Sequence, residues 1–168
     1  MDNITLGLDI STSITGATII QDGKILKTIF WDTRNKRKFP TFYEKAKFVK
    51  EKILTIKNRY DITNIYIEQS LHSFRSGFSS AQTLSTLSRF NGVVSWFCFE
   101  LFGIQPEMIA ATSARKQAGV GIKRGDNAKE KVLQFRRSWE LKPEPLDKKS
   151  PYHPLNIATY KSIPTDNI

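Results

Sequence analysis

Two carboxylates are placed where they could do chemistry. Asp9 closes the apolar run ITLGLD, Glu68 closes NIYIE, and each leads directly into polar residues. A carboxylate at the end of a short apolar strand is costly to bury alone, because an unpaired charge withdrawn from water costs several kcal/mol. If the two runs are neighbouring parallel strands, the acids stand side by side at one sheet edge. Like charges so placed invite a divalent cation, and an all-oxygen ligand set suits Mg²⁺ or Mn²⁺. The plainer alternative, two unrelated acids each paired with a nearby lysine or capping a turn, stays open on these residues alone.

The elements that must position this pair can be read from periodicity. Ile4, Leu6 and Leu8 alternate at period two, and two further β-rich runs, residues 17–20 and 25–31, meet across Asp22-Gly23, a hairpin signal. The opening therefore predicts an antiparallel meander of three strands. Phe42, Ala46, Val49, Ile53 and Ile56 then recur at helical steps, with Thr41 and Glu44 spaced as a capping box after Pro40. Lys45, Lys47, Lys50 and Lys52 fall on the other face of that helix and read equally as a solvated face or a contact surface. A short strand at 64–69 follows, then a polar loop at 70–80. Residues 81–102 are too long and apolar for a strand; Leu84, Leu87, Val94, Phe97 and Leu101 fit a buried helix, with Asn91-Gly92 an interruption in its middle. A strand at 106–111, a helical turn capped by Thr112 or Ser113 and running through Lys116, and a last helix capped by Asp126 and reaching about Arg137 complete the order βββαβαβα. That order predicts an α/β fold: a mixed five-stranded sheet with helices on both faces, since parallel neighbours need crossover connections. From Ser138 onward the chain shows neither period and holds five of the seven prolines, so residues 138–168 read as a loosely ordered tail outside a domain of residues 1–137.

Composition narrows the class. The 168 residues are 39% hydrophobic and 25% charged, and no apolar run reaches the roughly 20 residues that span a bilayer. The N-terminus reads as neither secretory signal nor transit peptide. The single cysteine, Cys98, lies in the apolar run VVSWFCFELF and reads as a buried core thiol, so the chain fits a reducing compartment. The net charge of +10, from 26 basic and 16 acidic residues, points to a polyanionic partner, nucleic acid first. The surplus is concentrated: Lys24–Arg59 holds twelve bases and three acids, and Arg115–Lys149 eleven and five.

Four segments together carry a family resemblance. GLDISTSITG at 7–16 resembles the first-strand motif of the RuvC family of Holliday junction resolvases, and IYIEQS at 65–70 its second acidic motif. FSSAQTLSTLSRFNGVV at 78–94 resembles the following helix, and SARKQAGVGIKRGDNAKEKV at 113–132 the basic segment and the start of the final helix. The likeness runs over about residues 4–137 and is greatest to phage-type members. It implies an RNase H-like fold, a homodimer, and metal-dependent hydrolysis of phosphodiesters in branched double-stranded DNA by two ions about 4 Å apart. It implies no nucleotide cofactor, no membrane, and a place in the cytoplasm of a bacterium or a phage-infected host. By motif, Asp9 and Glu68 would be metal ligands. Gln69 and Ser70 would approach the junction, with Arg75 further along the same loop, and Leu71 falls where relatives place an apolar wedge. Lys116 matches a basic position near the scissile phosphate, and Arg115, Lys123 and Arg124 would be further phosphate contacts.

One departure affects the active site. The family completes its metal set with two acids, or an acid and a histidine, three residues apart on a C-terminal helix. Here Asp147 is followed three positions on by Ser150, then by His153 and Asp166, in a stretch without helical pattern. Asp147 is the only acid near enough to the last predicted helix to substitute. The leading expectation is thus a structure-selective, metal-dependent endodeoxyribonuclease. Its alternative is a catalytically impaired junction-binding protein of the same fold. A sugar-kinase or actin-like phosphate loop is the third reading, and it needs two such domains, for which the chain has no room.

Overall fold

The computed structural model describes residues 3–69, 81–117, 119–123, 125–127 and 130–134. Strands β1 (Ile4–Asp9), β2 (Ile14–Gln21) and β3 (Lys24–Asp32) form the expected meander. Its tight turn places Asp22 at φ 47° and Gly23 at φ 81°, the doubly left-handed geometry of a type I′ hairpin, which an Asp-Gly pair tolerates. Within the β2 and β3 pairing the register shifts between Ile19 and Ile20, leaving Leu26 as an extra residue on the edge strand.

Helix α1 (Phe42–Lys57) begins at the predicted capping box. The Glu44 carboxylate accepts the Thr41 N–H at 2.8 Å and the Thr41 hydroxyl, and these bonds hold it below the usual carboxylate range. Its buried stripe is Ala46, Val49, Ile53 and Ile56, as the spacing requires. β4 (Asn64–Glu68), α2 (Ala81–Phe102), β5 (Glu107–Ile109) and α3 (Ala111–Gln117) follow, and residues 130–134 are helical. The sheet order is β3-β2-β1-β4-β5, with β4 parallel to both β1 and β5.

Alternation along the strands divides the core between two faces. Leu6, Leu8, Ala17, Ile19, Ile65 and Ile67 pack beneath α1 and α2, where Phe90, Val94 and Cys98 join them and Phe42 meets Phe90 edge-on at 5.3 Å. Tyr66 and Ile109 face the other way and pack against Ala114 of α3. Helices therefore cover both faces, and the chain has an RNase H-like α/β fold. Burial pushes the Cys98 thiol up to about 12, which suits a packing residue rather than a nucleophile. No helix among the described residues is long and apolar enough to cross a membrane.

Two caps differ from expectation. Thr112 and Ser113 lie inside the first turn of α3, and the Ala114 N–H donates to Ala110 O at 3.0 Å, so Ala110 begins the helix. The chain passes almost directly from β5 into α3 because Ile109 and Ala114 must both reach Tyr66. At the final helical segment Asn127 Oδ1 accepts the Glu130 N–H at 3.4 Å, and Asn127 O accepts the Lys131 N–H, which makes Asn127 the cap. Asp126 instead closes the preceding turn by accepting the Lys123 N–H at 2.8 Å. The expected tail, residues 138–168, lies outside the described residues.

Candidate functional site

Leu8 pairs with Ile67 in the parallel β1 and β4 ladder, so Asp9 and Glu68 are the next residues in register at the C-terminal ends of adjacent strands. Neighbouring strands stand about 4.8 Å apart, and residues level with one another project from the same face. Both carboxylates are half-buried. On the far side of Asp9 the level residue of β2 is Gly16, which has no side chain to crowd that face. The pair that sequence reasoning singled out is therefore brought together by the fold.

The turn after Asp9 is fixed by its own hydroxyls and by two more distant residues. Thr15 Oγ1 accepts the Ser11 N–H at 3.4 Å and donates to Ser11 O at 3.1 Å, and the Ser11 hydroxyl accepts the Ser13 N–H at 3.2 Å. From the end of β3, the buried Thr33 hydroxyl lies 3.0 Å from Thr12 O and 3.1 Å from Ser13 O, and its N–H donates to Ser13 O at 2.8 Å. From α1, Lys45 Nζ donates to Thr12 O at 2.7 Å. The exit from β4 is held as firmly. Asn91, buried in the middle of α2, donates from Nδ2 to Glu68 O at 3.0 Å, and the Gln69 N–H donates to Ile109 O at 2.8 Å. Each acid thus sits on a backbone pinned from a neighbouring element.

Asn91, Thr33 and Lys45 were not legible as site residues from sequence. Asn91 had a signal: it occupies the stripe Leu87, Asn91, Val94, Cys98, where a helix facing a sheet carries apolar side chains. A polar residue there must find a partner. Lys45 falls on the helix face that reads as solvated, and nothing in its spacing reveals the carbonyl it reaches.

Arg115 and Lys116 lie on α3, which docks through Ala114 onto Tyr66 and Ile109, the residues flanking Glu68 along and across the sheet. Arg115 is half-buried and Lys116 exposed, and Lys123 is exposed in the turn that Asp126 closes. The helix that carries Arg115 and Lys116 is therefore packed on the face from which Asp9 and Glu68 project. Ser70, Leu71, Arg75, Arg124 and Asp147 lie outside the described residues. Among the described residues no group of three or more His, Cys, Asp or Glu side chains could hold a metal ion. The adjacent Asp9 and Glu68 fit as oxygen donors to a divalent cation but fall short of a complete set, since a hard cation takes about six ligands or more.

No family model matches the chain. Two solved structures share its architecture. Thermus thermophilus RuvC in complex with a Holliday junction substrate superposes with a TM-score of 0.64 at 16% identity, covering 94% of this chain and 91% of that one. A second Thermus thermophilus RuvC structure gives 0.61 at 15%, covering 94% and 92%. The fold is RuvC-like. Among curated proteins, a stretch of 39 residues is 62% identical to the 2,3-bisphosphoglycerate-dependent phosphoglycerate mutase of Pelagibacter ubique, and that stretch spans 23% of this chain and only 16% of the mutase.

Proposed function

Proceeding from a RuvC-like fold with two registered carboxylates, we propose that this chain is a metal-dependent, structure-selective endodeoxyribonuclease acting on branched double-stranded DNA. The observation that carries the reading is the placement of Asp9 and Glu68 level with each other at the ends of parallel strands, beside a helix bearing Arg115 and Lys116. Asp9 and Glu68 bind Mg²⁺ or Mn²⁺, in two ions when the set is complete, and Asp147 is the candidate for the missing ligand. When bound, such ions supply a water of lowered pKa and offset charge on the leaving oxygen. Asn91, Thr33 and Lys45 hold the two backbone turns so that the carboxylates meet the metal without rearranging. Arg115, Lys116, Lys123 and Arg124 bind flanking phosphates, and Gln69, Ser70, Leu71 and Arg75 meet the branch point, Leu71 as an apolar wedge. The working form is a homodimer in the cytoplasm. Its contact is the apolar strip of Tyr43, Trp96 and Phe99, exposed beside Gly92 where α1 meets α2.

A second reading keeps the fold and the DNA surface but not the cleavage. It is favoured by the lack of a third carboxylate among the described residues. Incubating a four-way junction with the chain in Mg²⁺ decides between them. Cleavage is expected to be weak in the parent and abolished in Asp9→Asn and Glu68→Gln, while junction binding in EDTA stays within about threefold, because the basic surface is untouched. Cleavage by either variant at the parental rate would overturn the metal pair. Robust parental cleavage lost on Asp147→Asn would make Asp147 the third ligand.

A further inference from the structure

Apart from Thr33 and Lys45, the basic stretch Lys24–Arg59 takes no part in the site above, yet it surrounds a cleft of its own. Between β3 and the C-terminal half of α1 lies a cleft of about 360 Å³ walled by Trp31, Phe48 and Tyr60, with Lys27, Lys52 and Arg59 around it. These three cations are exposed, and the ion pairs of this stretch are made by Arg34 with Asp32 and by Lys50 with Glu100. Asp32, the acid of the lining, is engaged by Arg34 at 2.6 Å. The cleft is therefore electropositive and calls for an anion. Lys52 Nζ stands 5.1 Å from the centre of the Phe48 ring, so charge and aromatic surface meet at one point.

A ring face beside cations that make no ion pair among the described residues matches one ligand chemistry, a base carrying its phosphate. The volume is at the small end of ligand sites, which run from about 300 Å³ upward. It admits a nucleotide and not a duplex, whose base faces are already stacked. The cleft and the carboxylates lie on opposite faces of the sheet, joined around its edge strand β3: Gly16 is level with Asp9 on one side and on the other with Phe30, whose neighbours Ile29 and Trp31 face the cleft. Two strand spacings, about 10 Å, separate Phe30 from Asp9. Phe30 is 58% exposed on the face from which Asp9 projects, so a strand leaving the acids can cross it to the edge.

We propose that the β3 and α1 cleft binds an unpaired nucleotide of a DNA strand, close to the phosphate held at Asp9 and Glu68. The link to that phosphate rests on the nuclease reading; the preference of the cleft for a single strand does not. The test is fluorescence anisotropy in EDTA with a labelled oligothymidylate, an abasic strand of equal length and an intact four-way junction, using the full chain. Stacking predicts that the oligothymidylate binds about tenfold more tightly than the abasic strand. Lys52→Glu with Arg59→Glu should weaken its binding about tenfold and reduce the log-log salt slope by about 1.4, at roughly 0.7 per phosphate contact on a single strand. Lys36→Glu with Lys47→Glu, equal in charge but outside the cleft lining, should have under a third of that effect on affinity. Equal loss in the two double variants, or equal affinity for the abasic strand, would overturn the site. So would competition by polyglutamate as effective as that by oligothymidylate, which would point to an acidic protein partner. Because no step needs cleavage, an inactive chain that still shows this pattern keeps the cleft and loses only the nuclease reading.

Discussion

Asn91 stands in a helix interior, where its type is a poor former, and its side chain reaches a carbonyl of the adjacent sheet. Replacing it with leucine would keep the volume and remove this donor from the half-buried Glu68 O, at a cost of about 1 kcal/mol, the usual worth of one hydrogen bond. Asn91→Leu is expected to lower kcat for junction cleavage while KM for the junction stays constant, since the DNA surface is unchanged; melting curves on the same preparation check that the chain is folded. A change in KM alone would show that Asn91 does not position the acid. Cys98 gives a second expectation. Burial makes its folded thiol hold its proton to about 12, well above the ordinary 9.0 of a cysteine, so its contribution to stability is complete below pH 9 and declines as pH rises from there toward 12, by about 1.4 kcal/mol per pH unit. Denaturant melts should show that decline in the parent and its attenuation in Cys98→Ala. At this scale the sequence displayed the acids because each interrupts an apolar run. It concealed Thr33 and Lys45 because their partners are carbonyls, which every residue carries and none advertises.

Elements were legible where the cause of the structure is local. The Asp22-Gly23 turn and the Thr41 and Glu44 capping box are decided within four residues, and both formed where the pattern put them. The start of α3 was misplaced because it is set by contact across the sheet, with Ala114 drawn to Tyr66, rather than by a capping side chain. The central sheet carries a further consequence of its two-sided burial. Thr18 and Thr28 are cross-strand partners whose buried hydroxyls find no hydrogen-bond partner among the described residues. Thr18→Val removes an unsatisfied hydroxyl with little change in shape. The substitution should leave stability unchanged or raise it by up to about 1 kcal/mol, read from the denaturant midpoint at constant m. A loss of more than that would mean the hydroxyl has a partner in solution, such as an ordered water.

For the molecule as a whole, the proposed dimer would cover the exposed strip of Tyr43, Trp96 and Phe99. Trp96 is 60% exposed and packs only partly on Phe99, at 5.8 Å between ring centres. Trp96→Glu is expected to shift the chain from dimer to monomer in sedimentation while its circular dichroism is retained; a parent that sediments as a monomer at micromolar concentration would remove the dimer from the proposal. The likeness of a 39-residue stretch to a mutase stands apart from this architecture, because an activity built over an entire enzyme does not travel with 16% of it. The pairing of β1 with β4 has a last consequence, in time rather than in space. The meander and α1 are joined by local contacts, but Asp9 and Glu68 are separated by 68 − 9 = 59 positions and meet only when the parallel ladder closes. Long-range parallel pairing is slow to form, since loop closure must precede the contacts that reward it. The two like charges oppose that closure as well. A nascent chain is therefore expected to complete the meander before the acidic pair exists, so that the basic surface of the proposed nuclease forms ahead of its metal site.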